Sequence, residues 1–215
     1  MDEFAAARRN MVDCQVRTQD VTDLRVIDAF LQVPRERFMP AAKQGLAYLD
    51  YEVPLGDGAK ARRLLKPAVL AKLIQAVGPR STDRVLDIAG GSGYSAAVWA
   101  RLAGEVTALE DDAALSRAAQ KNVGDAATVV TGALTAGWAA AAPYDIILLN
   151  GACEVIPPAL FQQLKDGGRL LCVMGAAPGK ATLYLRDGDN FSSRALFDAA
   201  AAPLPGFAKA PAFVF

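Results

Sequence analysis

The stretch Asp87-Ile-Ala89-Gly90-Gly91-Ser-Gly93-Tyr94 brings a carboxylate next to three glycines. Glycine lets a ligand approach backbone N–H groups closely, because no Cβ stands in the way. The stretch follows an apolar strand pattern over Arg84–Ile88 and opens a helical pattern over Tyr94–Leu102. A glycine turn needs that strand-to-helix setting to act as a binding loop. Glu110 closes the next strand pattern, Glu105–Leu109. A carboxylate there can accept two hydrogen bonds from a ribose diol.

Two nucleoside cofactors fit this arrangement. Gly91-Ser-Gly93-Tyr-Ser-Ala96 satisfies the G-x-G-x-x-A form of the dinucleotide fingerprint. A dinucleotide, however, lays its diphosphate over a positive helix N-terminus, and Asp87 would repel that anion. The carboxylate favours a ligand with a positively charged group, such as the amino group of S-adenosylmethionine. A glycine turn that binds nothing is the third reading.

Composition narrows the chemistry further. The chain has 215 residues and no histidine. That excludes Ser-His-Asp and Cys-His hydrolase sites and histidine-ligated zinc. Net charge is zero, with 23 basic and 23 acidic side chains. Nucleic acid is therefore not the expected partner, since phosphate binding leaves a basic footprint. Cys14, Cys153 and Cys172 are widely spaced and odd in number, which suits neither a disulfide framework nor a metal site. The polar N-terminus lacks an apolar signal core, and no apolar run approaches the ~20 residues of a membrane span. A soluble cytoplasmic protein without a metal or membrane partner is expected.

The elements that must hold the loop follow from periodicity. Helices are expected within 5–33, with Thr22-Asp23 as an N-cap and Pro34 as a stop. Residues 34–58, rich in proline and glycine, read as loop. A helix spans Pro67–Val77. Strands and helices then alternate: strands Arg84–Ile88, Glu105–Leu109, Ala127–Val130, Asp145–Asn150 and Arg169–Met174, with helices Tyr94–Leu102, Asp112–Asn122 and Pro158–Leu164. Asp166-Gly-Gly168 reads as a turn. Ala181–Arg186 and Ala210–Phe215 are expected to pair as antiparallel edge strands. The alanine runs at 139–142 and 199–202 read as loop and surface filler. Such alternation marks a doubly wound α/β sheet. One domain is expected over 1–215, with a helical and loop front at 1–78 and an α/β core at 79–215.

With the glycine loop placed, further segments stand out: Met11-Val-Asp-Cys-Gln-Val-Arg17, Thr22-Asp-Leu-Arg-Val26, Val33-Pro-Arg-Glu-Arg-Phe-Met-Pro40, Ala47-Tyr-Leu-Asp50 and Pro54-Leu-Gly-Asp-Gly58. Pro143-Tyr-Asp-Ile-Ile-Leu-Leu149, Ile156-Pro-Pro-Ala-Leu-Phe-Gln-Gln-Leu-Lys-Asp-Gly-Gly-Arg-Leu170 and Phe213-Val-Phe215 complete the set. Over nearly its whole length the chain resembles the protein-L-isoaspartate O-methyltransferase family. The resemblance implies a Rossmann-like seven-stranded methyltransferase sheet with a reversed hairpin at its C-terminal end. It also implies methyl transfer from S-adenosylmethionine to the carboxylate of isoaspartyl residues in damaged proteins. Implied cofactor residues are Asp87, Ala89, Gly91, Gly93, Tyr94, Glu110, Gly132, Ala133, Leu134 and Asn150. Asp50, Lys60, Arg62 and Arg63 belong to the implied substrate loop. No acid–base catalyst is assigned.

The departures fall at the site. The family carries Gln-Thr-Ile-Ser before a proline; here the stretch is slightly longer and reads Ala59-Lys60-Ala-Arg62-Arg63-Leu-Leu-Lys66-Pro67. Hydroxyl donors are lost, and Lys60, Arg62, Arg63 and Lys66 offer cations that can bind a carboxylate, arginine in bidentate fashion; a solvated charged loop is the plainer reading. The first glycine of the loop is Ala89, which fits if its φ is negative. The family's Gly-Asp-Gly after the third strand is Gly132-Ala133-Leu134, so a hydrogen bond to the adenine amine is lost and Leu134 can pack on the ring instead. Tyr94 can cover the cofactor or simply pack. Cys153 lacks a positive neighbour that would activate a thiolate. The alternative function is a degenerate member that keeps the fold and cofactor binding but serves as an interaction module.

Overall fold

The computed structural model describes residues 3–58, 61–175 and 178–210. Helix α1 (Glu3–Met11) runs into a π-helical turn at Val12–Val16 and a 3-10 turn at Arg17–Gln19. Asp20, in the left-handed region at φ 62°, ends that path. Helix α2 (Leu24–Gln32) starts where the Asp23 carboxylate accepts the Arg25 N–H at 2.9 Å, as the sequence predicts. Two short 3-10 segments, Arg35–Phe38 and Ala41–Leu46, occupy the expected loop. They lead to a small hairpin of β1 (Val53–Pro54) and β2 (Arg63–Leu64). Helix α3 (Pro67–Val77) has proline in its first turn and Gly78 at φ 56° beyond its end.

The rest alternates as expected: β3 (Arg84–Ile88), α4 (Tyr94–Trp99), β4 (Glu105–Glu110), α5 (Ala113–Val123), β5 (Thr128–Thr131), β6 (Tyr144–Cys153), α6 (Pro158–Gln162) and β7 (Leu164–Met174), followed by β8 (Gly179–Asp187) and β9 (Asn190–Ala199). The seven-stranded sheet has the order β5-β4-β3-β6-β7-β8-β9. Pairings from β5 through β7 are parallel, whereas β8 and β9 are antiparallel additions. Strand order reverses between β3 and β6, which places the switch point beside the glycine loop.

Strand β6 is buried on both faces, as its unbroken apolar run predicts. Ile146 and Leu148 face the cluster that includes Phe30, Leu73 and Ile74. Ile147 and Leu149 face the opposite cluster with Leu86, Ile88 and Leu160. This period of two lets a single strand join both cores.

Four details differ from the sequence reading. Helix α4 ends at Trp99 rather than Leu102. The Asp166–Gly168 turn lies inside β7, where a register shift against β6 absorbs the extra residues and Gly167 adopts φ 72°. The partner of β8 is β9, joined by a tight turn around Gly188, not the C-terminal stretch. β9 has a largely exposed, polar pattern, so hydrophobic periodicity misses it; residues 211–215 lie outside the described residues. Ala199 and Ala201 are buried rather than surface filler.

Candidate functional site

Beyond β3 the ladder continues for one more bond, from Ala89 N–H to Leu109 C=O at 2.8 Å. Ala89 then turns sharply at φ 61°, in the left-handed region, where the sequence reading required a negative φ. The turn keeps the backbone within reach of β4 and costs alanine roughly 1–2 kcal/mol. Gly90 follows because a Cβ there would lie 2.6 Å from both Asp87 Oδ2 and Ser95 Oγ. Gly91 and Gly93 have φ 66° and 93°.

Asp87 is fully buried and accepts from Ser95 Oγ at 2.6 Å and Asn150 Nδ2 at 2.8 Å. Burial pushes its carboxyl up to about 6, opposed by these two hydrogen bonds. Asn150 Nδ2 also reaches Ile88 C=O at 2.9 Å. Its amide therefore clasps the ends of β3 and β6. Gly151 is required next to it, because a Cβ would meet Leu204 at 2.6 Å. The segment around Ala202–Leu204 covers this strand end: Ala152 N–H donates to Ala202 C=O at 2.8 Å, and Ala152 C=O accepts from Leu204 N–H at 2.9 Å.

Glu110 ends β4 with both carboxylate oxygens occupied. Oε2 accepts from Gly91 N–H at 2.9 Å and Arg62 Nε at 3.3 Å. Oε1 accepts from an Arg62 terminal nitrogen at 2.8 Å and Asp111 N–H at 3.1 Å. The same Arg62 nitrogen meets Asp111 Oδ1 at 2.8 Å. Burial raises the Glu110 pKa, and Arg62 opposes that rise. Beside the pair lies a cavity of about 410 Å³, with Leu55, Asp111, Asp112 and Pro205 in its wall, within the range of small-molecule sites.

The remaining sequence candidates are dispersed. Gly132 donates its N–H to Glu110 C=O at 3.1 Å, which sets the turn after β5 alongside β4. Ala133 is exposed, whereas Leu134 is buried in the cluster with Ile88, Ala89 and Leu109. Tyr94 packs edge-on to Phe30 and Phe38 beneath the Arg35 guanidinium, 4.6 Å from its ring centre. Its contacts are thus with the helical front. Lys66 pairs with Asp50 at 3.6 Å, and Arg63 reaches Glu52 C=O at 3.3 Å. Among the described residues, neither an open carboxylate-binding cluster nor a fully solvated charged loop accounts for these cations: Arg62 is turned inward by a buried carboxylate that needs a partner. Lys60 lies outside the described residues. Cys153 is buried and hydrogen-bonds Cys172, which with burial raises the Cys172 thiol.

Sequence reasoning missed three parts of this site. Ser95 carried a signal, being a polar residue on a buried helix start. Arg62 facing Glu110 and the strap near Leu204 join residues far apart in the chain, and no local pattern reports them. Among the described residues there is no cluster of three potential metal ligands, and no helix is long and apolar enough to cross a membrane.

The family description "Protein-L-isoaspartate(D-aspartate) O-methyltransferase" matches residues 7–198. The protein-L-isoaspartate O-methyltransferase of Methylorubrum extorquens is 41% identical over 195 residues, 88% of this chain and 84% of that one. That of Roseiflexus castenholzii is 37% identical, covering 95% and 94%. A solved protein-L-isoaspartate O-methyltransferase superposes with a TM-score of 0.80 at 25% identity, over 93% of this chain and 66% of that one. A structure from Plasmodium falciparum, in complex with S-adenosyl-L-homocysteine, shares the fold with a TM-score of 0.72 at 17% identity, over 94% and 98%. The glycine loop at the switch point, the parallel sheet with its antiparallel end and the match over most of the length agree: the chain belongs to the protein-L-isoaspartate(D-aspartate) O-methyltransferase family.

Proposed function

We propose that this protein transfers a methyl group from S-adenosylmethionine to the carboxylate of isoaspartyl residues in damaged proteins. The observation that carries the reading is the juxtaposition of the Gly90–Gly91 turn with Glu110 at the carboxyl ends of β3 and β4, beside a cavity of about 410 Å³. The cradle suits the cofactor because Gly91 has no side chain and a Glu110 carboxylate is placed for ribose hydroxyls. Gly132 and Ala133 lie on the adenine side in this reading. Asp87 fixes the turn through Ser95 and Asn150.

The cofactor supplies an activated methyl group on a sulfonium. The chain needs to hold the acceptor in line with it, since effective positioning supplies much of such a barrier reduction. A carboxylate acceptor is already ionised near pH 7 and needs no general base. A chain without histidine meets those needs. The reading takes residues 1–215 as one domain that acts in the cytoplasm on protein or peptide, without nucleic acid or membrane partners. Asp50 and Arg63 lie on the acceptor side in this reading.

A calorimetric titration of the purified protein with S-adenosylmethionine tests the first half. Methyl transfer to an isoaspartyl peptide, with the aspartyl isomer as control, tests the second. Micromolar binding and selective methylation are expected. Silence up to millimolar cofactor, both in the wild type and in a folded variant whose Glu110 carboxylate is freed of Arg62, would sink the reading. One observation favours a second reading, a degenerate member that keeps the fold as an interaction module: Arg62 occupies the Glu110 carboxylate, and the loop lacks the family's hydroxyl donors. It predicts cofactor binding without turnover, or neither.

A further inference from the structure

Two independent features put the β1–β2 hairpin over the cofactor cradle. The first is electrostatic. Arg62 and Glu110 side chains are 9% and 3% exposed, so their contact is shielded from solvent. The four hydrogen bonds on Glu110, two from Arg62 and one each from Gly91 and Asp111, use its acceptor capacity. A ribose diol cannot bind the carboxylate while Arg62 holds it. The second is steric. A Cβ on Gly91 would lie 2.4 Å from Leu55 Cδ1 and 3.2 Å from Arg62 Cγ. The open face of the glycine is filled by this hairpin's side chains.

Away from Glu110 the hairpin is tied chiefly through Lys43, which donates to Gly56 C=O at 2.9 Å and pairs with the exposed Asp57 carboxylate at 3.7 Å. Its strands are two residues each. Its inner bond runs from Leu55 N–H to Arg62 C=O at 2.8 Å. Gly56, Asp57 and Gly58 are exposed. By contrast, Leu64, Leu65 and Pro67 behind it are buried, and Leu65 C=O accepts from the Arg35 guanidinium at 2.9 Å. A buried base beneath an exposed Gly56–Gly58 turn, held by one lysine, is the anatomy of a segment that can lift without unfolding its surroundings.

We propose that Arg62 is a latch that closes the cofactor's ribose site by donating to Glu110 in place of the ribose hydroxyls, so that the hairpin must release Glu110 before S-adenosylmethionine can seat. This rests on the methyltransferase reading above. The latched state taxes cofactor affinity by the fraction of molecules that are open. Removing Arg62 therefore strengthens binding, whereas removing a residue that helps hold the cofactor weakens it.

The test is S-adenosylhomocysteine binding to the full chain, by calorimetry and stopped flow, for wild type, Arg62→Gln and Glu110→Gln. The latch predicts that Arg62→Gln binds about tenfold or more tightly than wild type, while Glu110→Gln binds more weakly. It also predicts that the wild-type association rate levels off at high ligand, limited by opening, and that Arg62→Gln shows no plateau. Thermal unfolding of each variant guards against a misfolded protein. Should Arg62→Gln lose its fold, the plateau in wild type decides alone. Binding to wild type with a linear rate and an unchanged or weakened Arg62→Gln overturns the latch and leaves the methyltransferase reading standing. Binding to Arg62→Gln with none to wild type supports a latch that is shut at rest. No binding to any folded variant overturns both.

Discussion

The Asn150 side-chain amide donates to Asp87 Oδ1 at 2.8 Å and to Ile88 C=O at 2.9 Å, and so links the ends of the two strands that flank the switch point. Both residues are buried, with Asn150 6% exposed and Asp87 fully enclosed. In Asn150→Ala the Asp87 oxygen and the Ile88 carbonyl each lose this donor. Leaving a buried charged acceptor unmet costs about 2 kcal/mol. Asp87 also loses a bond that favours its ionised form, so its titration moves above about 6. Denaturant unfolding at pH 7.5 checks the loss. Unchanged stability would mean that water replaces the amide at no cost.

Asp87 sets a pH dependence with a definite sign. Its carboxyl is raised from 3.8 to about 6, mainly by burial. The folded state therefore holds its proton more tightly than the unfolded chain does. Its contribution is fully present below about pH 4 and is lost as pH rises through about 6. Two units correspond to about 2–3 kcal/mol. Asp145 and Asp23 are shifted the opposite way, by hydrogen bonds and nearby cations, and mask the effect in the total. The difference between Asp87→Asn and wild type isolates it: the variant gains relative stability between pH 4 and pH 6, and the gain levels off above. A flat difference would show that Asp87 titrates normally.

Ala89 offers a stability gain at a strained position. Its φ of 61° costs alanine about 1–2 kcal/mol, and glycine removes that cost while losing about 0.5–1 kcal/mol in chain entropy. Ala89→Gly should stabilise by about 0.5–1 kcal/mol, which for a chain of this size raises Tm by about 1–4 °C. Calorimetric melting checks it. A lower Tm would mean that the methyl group contributes more through packing than the turn costs, since Ala89 is fully buried beside Leu109 and Leu134.

These positions show what was legible in the sequence. The order of strands and helices from Arg84 to Met174 could be read because each strand has an apolar run and most connections carry glycine, proline or a capping acid. Asp112 is an example, its carboxylate accepting the N–H groups of Ala114 and Leu115. The carboxylates at the ends of β3 and β4 were legible for the same reason. β9 was not, because it is exposed on both faces over most of its length and so carries no apolar alternation. The positive φ at Ala89 was not legible because local sterics favour the negative region, and the strand-to-strand bond from Ala89 to Leu109 accompanies the departure from it. The pairing of Arg62 with Glu110 depends on a hairpin folding back across the sheet. Its charges were visible in the sequence, but their partners were not.

The turn after β5 allows a gain of function in the proposed adenine site. Ala133, where the sequence resemblance implies an aspartate in the family, is exposed and sits at φ −67° and ψ 121° before the 3-10 turn Leu134–Ala136. That backbone accepts aspartate without strain, because it is the extended geometry of an N-cap. The neighbouring Gly132 is held to Glu110 C=O, so a carboxylate at 133 stays near the carboxylate end of β4. One hydrogen bond to an adenine amine is worth about 0.5–1.5 kcal/mol. Ala133→Asp should therefore bind S-adenosylhomocysteine roughly three- to tenfold more tightly. The inosine analogue, which lacks the amine, separates this from general stiffening of the turn. A gain confined to the adenine ligand places position 133 beside the ring. An equal gain with both ligands, or none, would remove Ala133 from the cofactor site and leave the Asp111 side of the cavity to recognise the base.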